Sequence, residues 1–129
     1  MQNSTNVVYN QQQKCVILKL EGFVKGDDYR NAMLQTLEVG MKNFTGKFIL
    51  DWTKKGITAP EDLTWFLTQY VPDLHKRMSK KMYVAVLKSE NIFGNATAQK
   101  AIEDVRKNFD INIRIFATEH EAFEWFESN

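Results

Sequence analysis

The stretch from Lys47 to Asp62, Lys-Phe-Ile-Leu-Asp-Trp-Thr-Lys-Lys-Gly-Ile-Thr-Ala-Pro-Glu-Asp, constrains the fold more than any other part of the chain. An apolar run ends on Asp51 and Trp52, crosses a short polar loop and enters a helix start at Thr58. A strand that feeds a helix through so short a loop is the building block of an α/β sheet, because the helix must fold back and cover the strand's apolar face. On such sheets ligands gather in the crevice outside the carboxyl ends of the strands. Asp51, Trp52 and Lys54 are therefore candidate ligand-binding residues, although the pattern names no reaction. The structural alternative is that Asp51 caps its own loop or pairs with Lys54.

The remaining punctuation fits the same architecture. Asn6 to Asn10 and Lys14 to Glu21 are β-rich runs separated only by Gln11, Gln12 and Gln13, which predicts an antiparallel hairpin. A first helix is expected after Asp27 or Asp28, with Tyr29, Met33, Leu37 and Met41 as one apolar ridge and its end near Phe44 and Gly46. Thr58 and Glu61 form a capping box for the second helix, in which Pro60 lies too early to be missed as a donor. Its apolar face is Leu63, Phe66, Leu67 and Tyr70. Pro72 should end or bend it, leaving Asp73 to Met78 as a short extra turn.

Lys81 to Lys88 reads as a strand buried on both faces. Asn95 is the expected cap of a third helix carrying Ala98, Ile102, Val105 and Phe109 at helical spacing. Ile111, Ile113 and Ile115 alternate like a strand near a sheet edge. Thr118 and Glu121 repeat the capping box before a last helix that packs through Ala122, Phe123 and Phe126. The expected fold is α/β, one domain over residues 1–129, with a mixed, mostly parallel sheet of about five strands and four to five helices.

Composition removes several function classes. The 43% hydrophobic content, with nine Phe, three Trp and four Tyr, supports a packed core. Seventeen Lys and Arg against sixteen Asp and Glu leave a net charge of +1, which supplies no field for nucleic acid or anionic lipid. The densest basic run, Lys76-Arg77-Met78-Ser79-Lys80-Lys81, follows a helix end where the dipole favours cations, and reads as a solvated face. Cys15, the single cysteine, sits in a strand pattern and reads as a buried inert thiol in a reducing compartment. Cys15, His75 and His120 fall in separate elements, so neither a metal nor a cofactor is expected, and no Gly-x-Ser-x-Gly or phosphate-loop motif is present. Residues Met1 to Asn6 have neither the basic nor the apolar region of a signal peptide. No run reaches the roughly 18 apolar residues of a membrane span, so a cytoplasmic location is expected.

The order of hairpin, helix, strand, helix, strand, helix, strand and short final helix resembles the STAS fold of the anti-sigma-factor antagonists. It is similar to small bacterial STAS-like proteins, whose fold is shared with CRAL/TRIO lipid carriers. The resemblance covers about residues 7–127 and rests on Phe48-Ile49-Leu50-Asp51, on Trp65 and Pro72, and on Glu121-Ala122 with Trp125-Phe126. The antagonists present a phosphorylatable Ser in an Asp-Ser-Ser-Gly segment, whereas this chain has Ile57-Thr58-Ala59-Pro60-Glu61 there, so their partner switch does not carry over. The resemblance implies a non-catalytic module that binds another protein, itself included, through the aromatic surface around the second and last helices. Trp125 and Phe126 are its candidate interaction residues and a homodimer its expected state, since adjacent aromatics on one helix cannot both enter one core stripe. The competing expectation is a carrier or sensor of a small apolar or anionic ligand, held near Asp51, Trp52, Lys54, Trp65, Asn91 and Phe93. An enzyme using Asp51 as acid or base comes third.

Overall fold

The computed structural model describes residues 4–55, 60–77, 81–87, 92–109 and 111–129. Its elements run β1 (Ser4–Asn10), β2 (Cys15–Gly22), α1 (Gly26–Lys42), β3 (Lys47–Lys55), α2 (Pro60–Trp65), a π turn (Phe66–Tyr70), α3 (Val71–Arg77), β4 (Tyr83–Leu87), α4 (Ile92–Asn108), β5 (Asn112–Phe116) and α5 (Glu119–Glu127). The strands lie side by side in chain order; β1 pairs antiparallel with β2, and every later pair is parallel.

This order decides where the helices go. Parallel connections cross over right-handed, and each crossover here steps in the same direction, so α1, α2–α3 and α4 all fall on one face of the sheet. That face holds the main core, which includes Val16, Leu18, Leu20, Phe48, Leu50, Val84, Val86 and Ile113 beneath Met33, Leu37, Tyr70, Leu74 and Val105. The opposite face receives α5, whose Ala122 and Phe126 cover Cys15, Ile17, Ile49, Ala85 and Leu87. β4 is thus buried from both sides, as its continuous apolar run requires.

Several boundaries move for identifiable reasons. The four-residue ridge of α1 holds through Tyr29, Met33 and Leu37 but not Met41, which is 42% exposed. Steps of four residues advance about 40° beyond a full turn, so after three steps the row has rotated off the core and Gly40 takes the inner position. A Cβ at Gly40 would lie 2.6 Å from the Phe48 ring, so glycine lets that ring lie against the helix backbone. α1 begins at Gly26, before the expected Asp27 or Asp28, and α4 begins at Ile92, which places Asn95 inside the helix and not at its cap.

Pro72 neither ends the second helix nor isolates its last turn. The preceding π turn widens the chain, with the Val71 N–H donating to the Phe66 carbonyl, and the helix continues through α3. A widened turn relieves the clash that a proline ring makes with the carbonyl four residues back. At the last helix the threonine half of the expected capping box is formed: Thr118 Oγ1 accepts the Glu121 N–H at 3.3 Å, and its hydroxyl, in place of its N–H, donates to Glu121 Oε1 at 3.2 Å. Thr58 of the other box lies outside the described residues.

Cys15 is buried on the α5 face, and burial, reinforced by the nearby Glu119 charge, pushes its thiol up to about 12. Burial also raises the Tyr29 and Tyr70 phenols. Each group keeps its proton longer in the folded chain than in the unfolded one, so its contribution is intact below the unfolded value and is lost as pH rises. The urea midpoint should therefore fall between about pH 9 and 11. Iodoacetamide at about pH 8 should leave Cys15 unmodified until the chain is unfolded. Rapid alkylation of the native protein would contradict this burial.

Candidate functional site

The carboxyl end of β3 places the nominated residues on two different surfaces. Successive strand residues point to opposite faces, so Asp51 and Trp52 separate. Asp51 lies level with Lys19 on β2 and Leu87 on β4. It lines a polar groove of about 130 Å³ with Lys19, Glu21, Thr53 and Lys54. Its Oδ1 accepts the Thr53 N–H at 3.1 Å and the Thr53 hydroxyl at 2.6 Å. Lys54 Nζ lies 3.9 Å from Glu21 Oε1. The carboxylate therefore ties down the strand end, and the groove balances two cations with two anions.

Trp52 belongs to the main core at 7% exposure, edge-on to Phe66 with ring centroids 6.4 Å apart. Trp65 is half-buried on α2, 6.1 Å from Tyr29 and 5.5 Å from Tyr70, with the Arg30 guanidinium 5.6 Å from its ring. The two tryptophans thus belong to an aromatic layer beneath α1 and α2, not to a crevice shared with Asp51. Asn91 lies outside the described residues, as does the side chain of Phe93. The cavity in this core, bordered by Leu50, Phe66, Tyr70, Val84 and Ile113, has a volume of about 20 Å³. Ligand pockets take roughly 300–1,000 Å³, so this space holds a water-sized void and no apolar cargo.

The terminal aromatic pair also divides. Phe126 is 1% exposed in the core under α5, which removes it from any interaction surface. Trp125 is half-buried, 5.6 Å from Tyr83 and 5.4 Å from Phe116, with Arg114 5.7 Å from its ring. Adjacent helical residues can both pack on one chain here because β4 and β5 extend beneath the flank of α5.

A crystal structure of an uncharacterized protein from the DUF3478 family, with a SpoIIAA-like fold, from Shewanella loihica PV-4 matches this architecture. The TM-score is 0.59 at 15% sequence identity, covering 96% of this chain and 93% of that one. The fold is SpoIIAA-like. It is the STAS-like arrangement that the order of elements implies. No family model and no curated protein matches the chain.

On this SpoIIAA-like fold two features escaped sequence reasoning. Asp62, 2% exposed, acts across space on α1: its Oδ2 accepts the Gly26 N–H at 2.9 Å and its Oδ1 lies 3.5 Å from Arg30 Nε. Lys25 at the N-cap supplies no side-chain cap, so a carboxylate 36 residues away satisfies the helix start and its dipole. The second feature is Phe44, just past α1. The Phe44 N–H donates to Met41 O at 3.3 Å and the Thr45 N–H to Gly40 O at 3.1 Å, the paired bonds of a Schellman motif. Phe44 therefore occupies the left-handed position, with φ of 54°, where glycine is favoured, and is 77% exposed. The sequence carried a faint signal, since the glycine that should follow the helix stands two residues late at Gly46. Phe44 also borders a groove of about 260 Å³ with Tyr9, Lys14, Lys47, Lys81 and Tyr83.

Proposed function

We propose that this chain is a non-catalytic protein-interaction module, and that Phe44 is its principal contact. The supporting observation is the conformation of Phe44. A left-handed backbone costs an L-residue roughly 1–2 kcal/mol, and the ring it carries is 77% open to water. Glycine at this site would relieve the strain and remove the exposed ring. An aromatic residue held in a left-handed backbone and turned largely toward water has the character of an interface anchor, where a rigid ring contributes on binding. The lysines and tyrosines beside it form a polar rim. The core void is too small to favour a carrier, and the Asp51 carboxylate is engaged by Thr53.

Phe44→Gly should melt higher than the native protein by about 3–5 °C, corresponding to about 1 kcal/mol, while losing association with its binding partner. Calorimetry and co-purification from the native cell measure the two effects separately. A variant that is no more stable and keeps the same associated proteins at the same occupancy would overturn this reading.

A further inference from the structure

We propose that the partner is a second copy of this chain, joined through β1 about a twofold axis perpendicular to the sheet, so that two five-stranded sheets become one. The proposal rests on the interaction-module reading and adds the identity of the partner and the geometry of contact.

β1 and β5 are the two edges of the sheet, and they differ. Exposed edges are ordinarily guarded by shortness, charge or proline. β5 has five residues and carries Arg114. β1 has seven, Ser-Thr-Asn-Val-Val-Tyr-Asn, with no charge and no proline, and its Val8 is 41% exposed. Antiparallel pairing of the whole strand with its mate puts Val7 on the axis, Asn6 opposite the mate's Val8 and Thr5 opposite the mate's Tyr9. No like charges meet along it.

The helix above fits the same operation. α1 packs over both β1 and β2. With strands about 4.8 Å apart, a helix centred over that pair lies about 10 Å from its twofold mate, the upper end of ordinary helix-packing distances. The two helices run antiparallel, which brings the acidic first turn of one, Asp27 and Asp28, toward the basic end of the other, where Lys42 closes the helix and Lys14 lies in the hairpin turn. A groove borders each end of the strand. Phe44 borders the groove at the Tyr9 end of β1. The other end of β1 borders a groove of about 290 Å³ formed by Ser4, Thr5, Val24, Asp28, Ala32 and Gln35, large enough for a phenyl ring. The perpendicular twofold beside Val7 exchanges the two ends of β1 and so brings the Phe44 end of one chain to the grooved end of its mate, an isologous contact made twice.

The test places like charges on the exposed face of the edge. Asn6→Lys/Val8→Lys sets lysine opposite lysine twice across the axis, and Asn6→Glu/Val8→Glu does the same with carboxylates. Both positions are exposed, so each variant should fold with native circular dichroism. Light scattering at high micromolar concentration should give the native protein twice the 15.1 kDa chain mass, each variant alone the single-chain mass, and their equimolar mixture the doubled mass again. A native protein that stays at 15.1 kDa, or either variant that remains doubled, overturns the β1 dimer. If the native protein is a single chain while Phe44→Gly still loses a different partner, the interaction module stands and only the second-copy assignment fails.

Discussion

Phe126→Ala is expected to cost about 4 kcal/mol, the largest effect of any single truncation considered for this chain. The reason lies in the asymmetry of the sheet. One face is roofed by α1, α2–α3 and α4, so losing one side chain there leaves many neighbours in place. On the other face, among the described residues, Ala122 and Phe126 of α5 are the buried side chains laid over Cys15, Ile17, Ile49, Ala85 and Leu87. The nine-residue α5 is too short to persist without that packing. Lys47 Nζ adds to the attachment by donating to the Phe126 carbonyl at 2.9 Å and lying 5.8 Å from its ring. Urea denaturation measures the loss, and Cys15 gives a second readout, because release of α5 should expose the thiol to alkylation. Trp125→Ala, half-buried beside it, should cost less. A Phe126→Ala loss below about 1 kcal/mol, with Cys15 still protected, would show that α5 does not hold this face closed.

Gly46→Ala should destabilise by about 3 kcal/mol, although it adds a single methyl group. The backbone at Gly46 conforms to no special glycine geometry; the constraint is proximity. A Cβ there would strike the carbonyl oxygen of Lys81, where β3 and β4 begin to pair. That approach is fixed by the Tyr83 N–H donating to the Gly46 carbonyl at 2.8 Å and by the register of Lys47 against Tyr83. Backbone held two residues from those ladder bonds cannot turn aside as a side chain can. Gly40→Ala is the informative comparison, since its Cβ would meet the tip of the Phe48 ring and gains helix propensity worth about 1 kcal/mol. Equal costs for the two variants, read from urea midpoints, would refute the distinction between backbone and side-chain obstruction.

The architecture was legible because it follows from period and punctuation. The hairpin, the β3 run from Lys47, the doubly buried β4 and the Thr118 capping box all depend on residues close in sequence, whose side-chain spacing fixes which face is apolar. The candidate site was legible only in part, and Asp51 and Trp52 show why. Their position at a strand end was readable, but adjacent strand residues face opposite ways, so a cluster in sequence became two surfaces in space. Trp125 and Phe126 failed in the converse sense: one helix stripe cannot bury both, yet β4 and β5 extend far enough under the flank of α5 to receive the second ring.

What the sequence determined by itself was the order and type of elements, hence the SpoIIAA-like sheet, because hydrophobic periodicity and turn chemistry are local. Tertiary structure alone decided that Asp62 caps a helix starting 36 residues earlier, that Gly46 lies against the Lys81 carbonyl, that Phe44 is 77% exposed and that β1 is an edge of the sheet. Each of these depends on which distant backbone atoms come within a few ångströms. That distance is set by the packing of whole helices on the sheet, and no window of sequence contains it.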